Sequence, residues 1–259
     1  MKISERLWDP NLNPDEDFGE DIPMIHSYLP EERKGDGAVI IFPGGGYAMR
    51  AFHEGEPYAL KLNEMGLAAF VVDYRVAPCN ASWPLLDATK AIRLVRERAS
   101  KYQIDPNKIA VMGSSAGGHL AASISTIYDK NNLDSMPNAQ ILCYPVTDFE
   151  SHSGSYENLL GENIKGYKSF CPINLANEHT PPAFIWHTSS DGLVDVKGSY
   201  RYATRLSELG VPVEMHIYPI GDHGLGLAKG LYGSGTEEYI QRWVEDLERW
   251  LKLNKWINE

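Results

Sequence analysis

The chain has 259 residues, 43% of them apolar, and sets 24 Lys plus Arg against 35 Asp plus Glu for a formal charge of −11. That length suits one sizeable core, so 1–259 is expected to be a single domain, and the charge repels phosphate backbones and anionic bilayer faces, which excludes nucleic acid and membrane as partners. No apolar run approaches the roughly 20 residues of a bilayer span, nothing leader-like opens the chain, and Cys79, Cys143 and Cys171 form no C-x-x-C; the expectation is a cytoplasmic protein with neither a disulfide framework nor a zinc knuckle.

In chain order, the acidic stretch 11–21 reads as a solvated arm. Beyond it, short β-like runs alternate with longer amphipathic stretches, the pattern of an α/β fold with a mostly parallel central sheet and helices on both faces. Strands are expected at 38–42, 68–73, 108–112, 140–144, 183–187 and 213–218. Most are continuous apolar runs such as Val39-Ile40-Ile41-Phe42, as befits strands covered on both sides. The last alternates Val213, Met215 and Ile217 with Glu214, His216 and Tyr218, which suits a position nearer the sheet edge. A helix over 85–102 sets Leu85, Ala88, Ile92, Val95 and Ala99 on one face. Another over 199–209 stops before Gly210, and a third over 236–253 starts on Thr236, a capping residue, and gathers Trp243, Val244, Leu247, Trp250 and Leu251. The interval 145–182 breaks the alternation; it is rich in Ser, Asn, Gly and Pro and is a candidate small lid insertion.

Strand 108–112 runs into Gly113-Ser114-Ser115-Ala116-Gly117-Gly118 and then a helix-like stretch. G-x-S-x-G between strand and helix is a nucleophile elbow, a turn whose serine takes a strained backbone between small neighbours. A serine hydroxyl needs a base, and the base needs an orienting acid. In the order Ser, Asp, His, the base is His223, on the glycine-rich loop after the last strand, and the acid is Asp191, on the loop after the strand ending at His187; Asp195 is the second candidate and Asp222 the third. His119 and His187 are expected to be satisfied locally, and the remaining histidines to be structural or on the surface. Donors for a tetrahedral oxyanion are expected from Gly45 and Gly46 in Pro43-Gly44-Gly45-Gly46-Tyr47 and from the N–H of Ala116. The glycine loop is no dinucleotide fingerprint, because Met49 stands where the third glycine belongs. No H-E-x-x-H or paired ligand spacing points to a metal, and no cofactor is expected.

These residues resemble the α/β-hydrolase superfamily, and more narrowly the small bacterial esterases related to hormone-sensitive lipase, acetyl-xylan esterase and feruloyl esterase. The likeness runs over about 38–227 and is carried by the Pro-Gly-Gly-Gly-Tyr loop, Asp73-Tyr74-Arg75-Val76-Ala77-Pro78, Asp105-Pro106, the elbow and Trp186-His187. Pro43 replaces the His that usually precedes the glycines in the lipase branch, Asp195 stands where relatives often carry Pro, and the long N-terminal cap of that branch is not expected here. The resemblance implies a serine esterase acting on short-chain, acetyl-type esters of carbohydrates, its partner a small-molecule ester such as an acylated oligosaccharide. It implies the catalytic roles for Ser115, Asp191 and His223. An amide-cleaving peptidase or aryl-formamidase on the same triad is the alternative, and a non-catalytic binder would be expected to have lost a motif residue. Tyr47 and Trp83, with Phe149 and Tyr156, lie on segments that could border the site as an aromatic platform for a sugar, the plainer reading being packing. Tyr74 and Arg75 are expected to hold loops together.

Overall fold

The computed structural model describes residues 2–9, 22–228 and 237–258; the expected 11–21 arm and the Thr236 cap lie outside them. The strands are β1 (Lys2–Arg6), β2 (Met24–Tyr28), β3 (Ala38–Phe42), β4 (Ala68–Asp73), β5 (Ile109–Ser114), β6 (Ala139–Cys143), β7 (Ala183–Thr188) and β8 (Val213–Tyr218). They form one sheet in the order β1-β2-β4-β3-β5-β6-β7-β8. Pairing is parallel from β4 through β8, while β1 and β2 add an antiparallel pair at one edge. The expected α/β sheet is therefore present, with β8 at its other edge and with two strands that no apolar run announces. β1 reads Lys-Ile-Ser-Glu-Arg and is largely exposed, so it lacks the signal by which the buried strands are found.

The helices are α1 (Glu56–Glu64), α2 (Trp83–Glu97), α3 (Ala99–Tyr102), α4 (Ser115–Thr126), α5 (Ser153–Leu160), α6 (Pro172–Leu175), α7 (Lys197–Glu208), α8 (Glu237–Ile240) and α9 (Arg242–Leu253). Alternate residues of a strand face opposite sides, and each side has its own core. Ile40, Phe70, Val111, Leu142 and Ile185 meet Ile92 of α2, Leu120 of α4 and Leu206 of α7. Val39, Ile41, Ala110 and Trp186 meet Tyr58 and Leu62 of α1 and Trp243 and Leu247 of α9. No helix among the described residues is long and apolar enough to cross a membrane.

Three expected elements differ in detail. The 85–102 helix begins earlier, at Trp83, because Pro84 in its first turn brings a preset φ and lacks only an N–H that would be unpaired there. It breaks at Arg98, whose φ of −100° and ψ of 17° leave the helical region. The 236–253 helix is described as α8 and α9, with a turn at Gln241. The 145–182 interval holds α5, a 3₁₀ stretch Gly161–Phe170 that leaves helical geometry at Asn163, and the single turn α6, so no one 3.6-residue period runs through it.

Topology sets where chemistry can gather. β3 lies beside β5, with Phe42 opposite Gly113, so the glycine loop after β3 and the turn after β5 leave the sheet side by side. The turns after β6, β7 and β8 leave the same carboxyl edge, where ligands collect in sheets of this kind.

Candidate active site

Ser115 occupies the junction of β5 and α4 with φ of +54°. An L-residue other than Gly, Asn or Asp seldom holds that value, and such strain persists only where the surroundings enforce it. Here strand and helix are pressed together: a Cβ added at Gly117 would lie 2.0 Å from the Phe42 carbonyl oxygen, and one at Gly113 would lie 2.1 Å from that of Gly117. The first turn of α4 begins at Ser115, so its unpaired N–H groups favour negative charge there.

Two other loops bring their side chains to this serine. His223 Nε2 lies 2.8 Å from Ser115 Oγ, and its Nδ1 lies 2.7 Å from Asp191 Oδ2. A carboxylate only accepts, so Nδ1 carries the proton and Nε2 is left to accept from the serine hydroxyl. Asp191 is itself firmly held. Oδ1 accepts the N–H groups of Leu193 and Val194, both at 2.9 Å, and Oδ2 also accepts His187 Nε2 at 3.1 Å. Burial pushes the Asp191 carboxyl up, but the bonds from His187 and His223, the charge of His223 and the Val194 N–H outweigh it, and the group is held well below the usual carboxylate range. The structure thus brings Ser115, His223 and Asp191 together and leaves the two rival acids apart: Asp195 accepts the Lys197 N–H and faces the Lys197 amine at 3.5 Å, and Asp222 is exposed.

The glycine loop lies alongside. Gly45 has φ of +124° and Gly46 of +64°, conformations that glycine adopts without penalty. The Gly45 carbonyl accepts from Ala48 and Met49, and the Gly46 carbonyl accepts Asn158 Nδ2 of α5 at 2.8 Å. Among the described residues no backbone carbonyl takes the N–H of Gly45 or Gly46. The N–H of Ala116 belongs to the first turn of α4, where no preceding helical carbonyl exists.

The aromatic side chains are engaged in packing. Tyr47 is 2% exposed and donates its hydroxyl to His119 Nδ1 at 2.7 Å. Trp83 stacks 4.5 Å from the Arg75 guanidinium, itself paired with Asp87 through contacts of 2.7 and 3.0 Å. Tyr156 is buried and Phe149 lies 4.5 Å from Tyr167. As expected, Tyr74 and Arg75 tie loops together, the Tyr74 hydroxyl donating to the Pro43 carbonyl at 2.6 Å. Sequence reasoning assigned no site role to His187, whose i,i+4 spacing to Asp191 was the available signal, nor to Glu54 and Tyr144, which it did not consider. His152, the N-cap of α5, also lies close enough to the relay to feel it: burial lowers its pKa, and the charge of His223 lowers it further. Among the described residues no cluster of three or more His, Cys, Asp or Glu could hold a metal.

Comparison with known proteins adds three findings. Residues 25–206 match the BD-FAE family model. The chain is 36% identical over 237 residues to an acetylxylan esterase of Xylanibacter ruminicola, covering 87% of this chain and 47% of that protein, and 34% identical over 252 residues to endo-1,4-beta-xylanase B of Butyrivibrio fibrisolvens, covering 90% and 39%. It therefore spans less than half the length of either curated relative. The solved structure of an acetyl ester-xyloside bifunctional hydrolase from Caldicellulosiruptor lactoaceticus superposes with a TM-score of 0.90 at 40% identity, covering 99% of this chain and 97% of that one. The fold is that of the α/β-hydrolases.

Proposed function

The chain belongs to the BD-FAE family, and from that premise we propose that it is a serine esterase that removes short, acetyl-type acyl groups from carbohydrates. The observation that carries the reading is the continuous relay Asp191 Oδ2, His223, Ser115 Oγ, with contacts of 2.7 and 2.8 Å, on a strained elbow. Ser115 Oγ attacks the ester carbonyl carbon while His223 Nε2 takes its proton. The carbonyl oxygen gathers charge, which the N–H groups of Gly45, Gly46 and Ala116 stabilise. His223 returns the proton to the departing alcohol oxygen, and Asp191 keeps the imidazolium oriented. Water then attacks the acyl-serine with His223 again taking the proton, and the acid leaves with Ser115 restored.

The substrate class is supported by the likeness to an acetylxylan esterase and to an acetyl ester-xyloside hydrolase. Ser115→Ala is expected to abolish hydrolysis of p-nitrophenyl acetate while its unfolding midpoint stays within a few degrees of the parent; retained turnover overturns the reading. Acetylated xylo-oligosaccharides are expected to be deacetylated faster than p-nitrophenyl esters of long acyl chains are cleaved, and the reverse order overturns the substrate class.

A further inference from the structure

Glu54 ends a short 3₁₀ turn, Phe52–Glu54, shortly after the glycine loop, and its carboxylate is 2% exposed although the reaction above gives it no task. Carboxylates are seldom so buried unless they are paired, and the partners of this one are the loops of the site. Oε2 accepts the N–H of Gly44 at 2.8 Å, and Oε1 accepts the Tyr144 hydroxyl at 2.6 Å. That hydroxyl in turn accepts the N–H of Gly226, three residues beyond His223, at 2.9 Å. The Tyr144 ring meets the His223 ring edge to face, with centroids 5.1 Å apart at 72°. His53, the neighbour of Glu54, donates Nε2–H to the Gly224 carbonyl at 2.8 Å and comes within 3.7 Å of Glu54 Oε1. Tyr58 completes the cluster, its hydroxyl 3.3 Å from that of Tyr144 and 3.1 Å from Ser114 Oγ.

One carboxylate therefore reaches the oxyanion loop directly and the histidine loop through a single hydroxyl. The space is filled closely: a Cβ on residue 44 would lie 2.5 Å from Glu54 Oε2 and 3.1 Å from Ser115 Cβ, so Gly44 is held between the carboxylate and the nucleophile. With its N–H committed to Glu54, Gly44 anchors the loop and leaves Gly45 and Gly46 as the oxyanion donors. We infer that Glu54 is a positioning residue that fixes the oxyanion loop and the His223 loop in one geometry relative to Ser115, the second through Tyr144. The inference rests on the esterase reading above.

The test uses the full chain with p-nitrophenyl acetate, and kcat is expressed per Ser115 titrated with a phosphonate, so that unfolded protein is not counted. Glu54→Gln keeps the shape but has one acceptor where the carboxylate has two: with its oxygen on the Gly44 N–H, its NH₂ group faces the Tyr144 hydroxyl, and that strong hydrogen bond to a charged acceptor is lost or reversed. The expected result is a fall in kcat of at least about tenfold with KM within about twofold. A boronic acid, whose adduct on Ser115 imitates the tetrahedral state, is expected to lose affinity in proportion. Tyr144→Phe removes the hydroxyl that joins Glu54 to the histidine loop while leaving the Gly44 contact in place, and is expected to lower kcat severalfold, and the double variant should fall no further than Glu54→Gln alone, as for residues acting through one network. A residue that only supports folding would leave kcat per titrated serine unchanged. That result in Glu54→Gln, or in Tyr144→Phe if the first variant does not fold, overturns the inference, as does a double variant whose losses multiply. Ser115→Ala separates the two levels: turnover surviving there removes the esterase reading, whereas an inactive Ser115→Ala beside fully active Glu54→Gln and Tyr144→Phe removes only the role of Glu54.

Discussion

Asp191 is the residue at which the site is most tightly specified. Its two oxygens take four N–H groups, Leu193 and Val194 on Oδ1 and His187 and His223 on Oδ2, which is about all that a carboxylate can accept. The Val194 carbonyl also lies 3.2 Å from His187 Nε2, and Ser199 Oγ lies 2.8 Å from His187 Nδ1. His187 therefore carries its proton on Nε2, accepts the Ser199 hydroxyl on Nδ1, and serves as a donor to the acid. An amide cannot make all four of these contacts. In Asp191→Asn either the NH₂ group faces the backbone N–H pair, donor against donor, or it faces His223 and forces the proton onto Nε2, where the serine needs an acceptor. The expected loss in kcat on p-nitrophenyl acetate is about a thousandfold or more. Asp195→Asn, at a position whose carboxylate caps the Lys197 N–H instead, should stay within about twofold. Equal losses in the two variants would show that the acid has been misassigned.

At the level of elements, α4 does more than carry Ser115. His119, one turn into it, donates Nε2–H to the Phe170 carbonyl at 2.7 Å and accepts the Tyr47 hydroxyl on Nδ1. It thereby ties the elbow helix both to the glycine loop and to the end of the 3₁₀ stretch Gly161–Phe170. Burial lowers its pKa from 6.5 to about 4, with only the Phe170 carbonyl acting the other way. A second proton on Nδ1 would turn the Tyr47 hydroxyl from donor to acceptor, so that its own proton loses this partner. Between those two values the unfolded chain binds a proton that the folded chain does not, so stability rises with pH there. The contribution is complete above 6.5 and declines as pH falls toward 4, by about 3 kcal/mol at most. Urea unfolding at pH 7 and 4.5 should show this decline in the parent and a smaller one in His119→Gln; identical pH dependence in the two would refute the assignment. This link was not legible in the chain, where His119 is one more residue of a small-residue helix. The elbow itself was legible, because a strand, two glycines and a helix start lie within a few consecutive residues. β3 to β8 were legible for the same local reason, as continuous or alternating apolar runs. β1 and β2 were not, since Lys-Ile-Ser-Glu-Arg and Met-Ile-His-Ser-Tyr hold no apolar run and are kept in place by edge pairing, for which Lys2↔Tyr28 and Tyr28↔Ala69 give the register.

Taken whole, the molecule joins what local motifs announce to what only the fold can bring together. The elbow and the glycine loop are each readable in a few residues, yet Glu54 and Tyr144 are 90 positions apart and meet because β3, β5 and β6 end side by side. The charge of −11 is likewise a property of the whole chain, and it has a consequence at the site. Acidic side chains sit on the very segments that frame Ser115: exposed Asp222 precedes His223, Asp195 follows the Asp191 turn, and exposed Glu157 stands beside the Asn158 that holds Gly46. Lys197 and Arg201 offset them only in part, since Arg201 is taken up by Asp148 at 2.7 Å. An ester bearing its own carboxylate therefore approaches against the field, whereas a neutral acetyl ester does not. At about 0.01 M salt the Debye length is roughly 30 Å, so charges across the whole face contribute, and at about 1 M it shrinks to roughly 3 Å and only the nearest remain. The kcat/KM for mono-p-nitrophenyl succinate is accordingly expected to rise severalfold over that range relative to p-nitrophenyl acetate, whose own value should change little. A ratio that does not move with salt would mean that the acidic surface leaves the approach to Ser115 untouched.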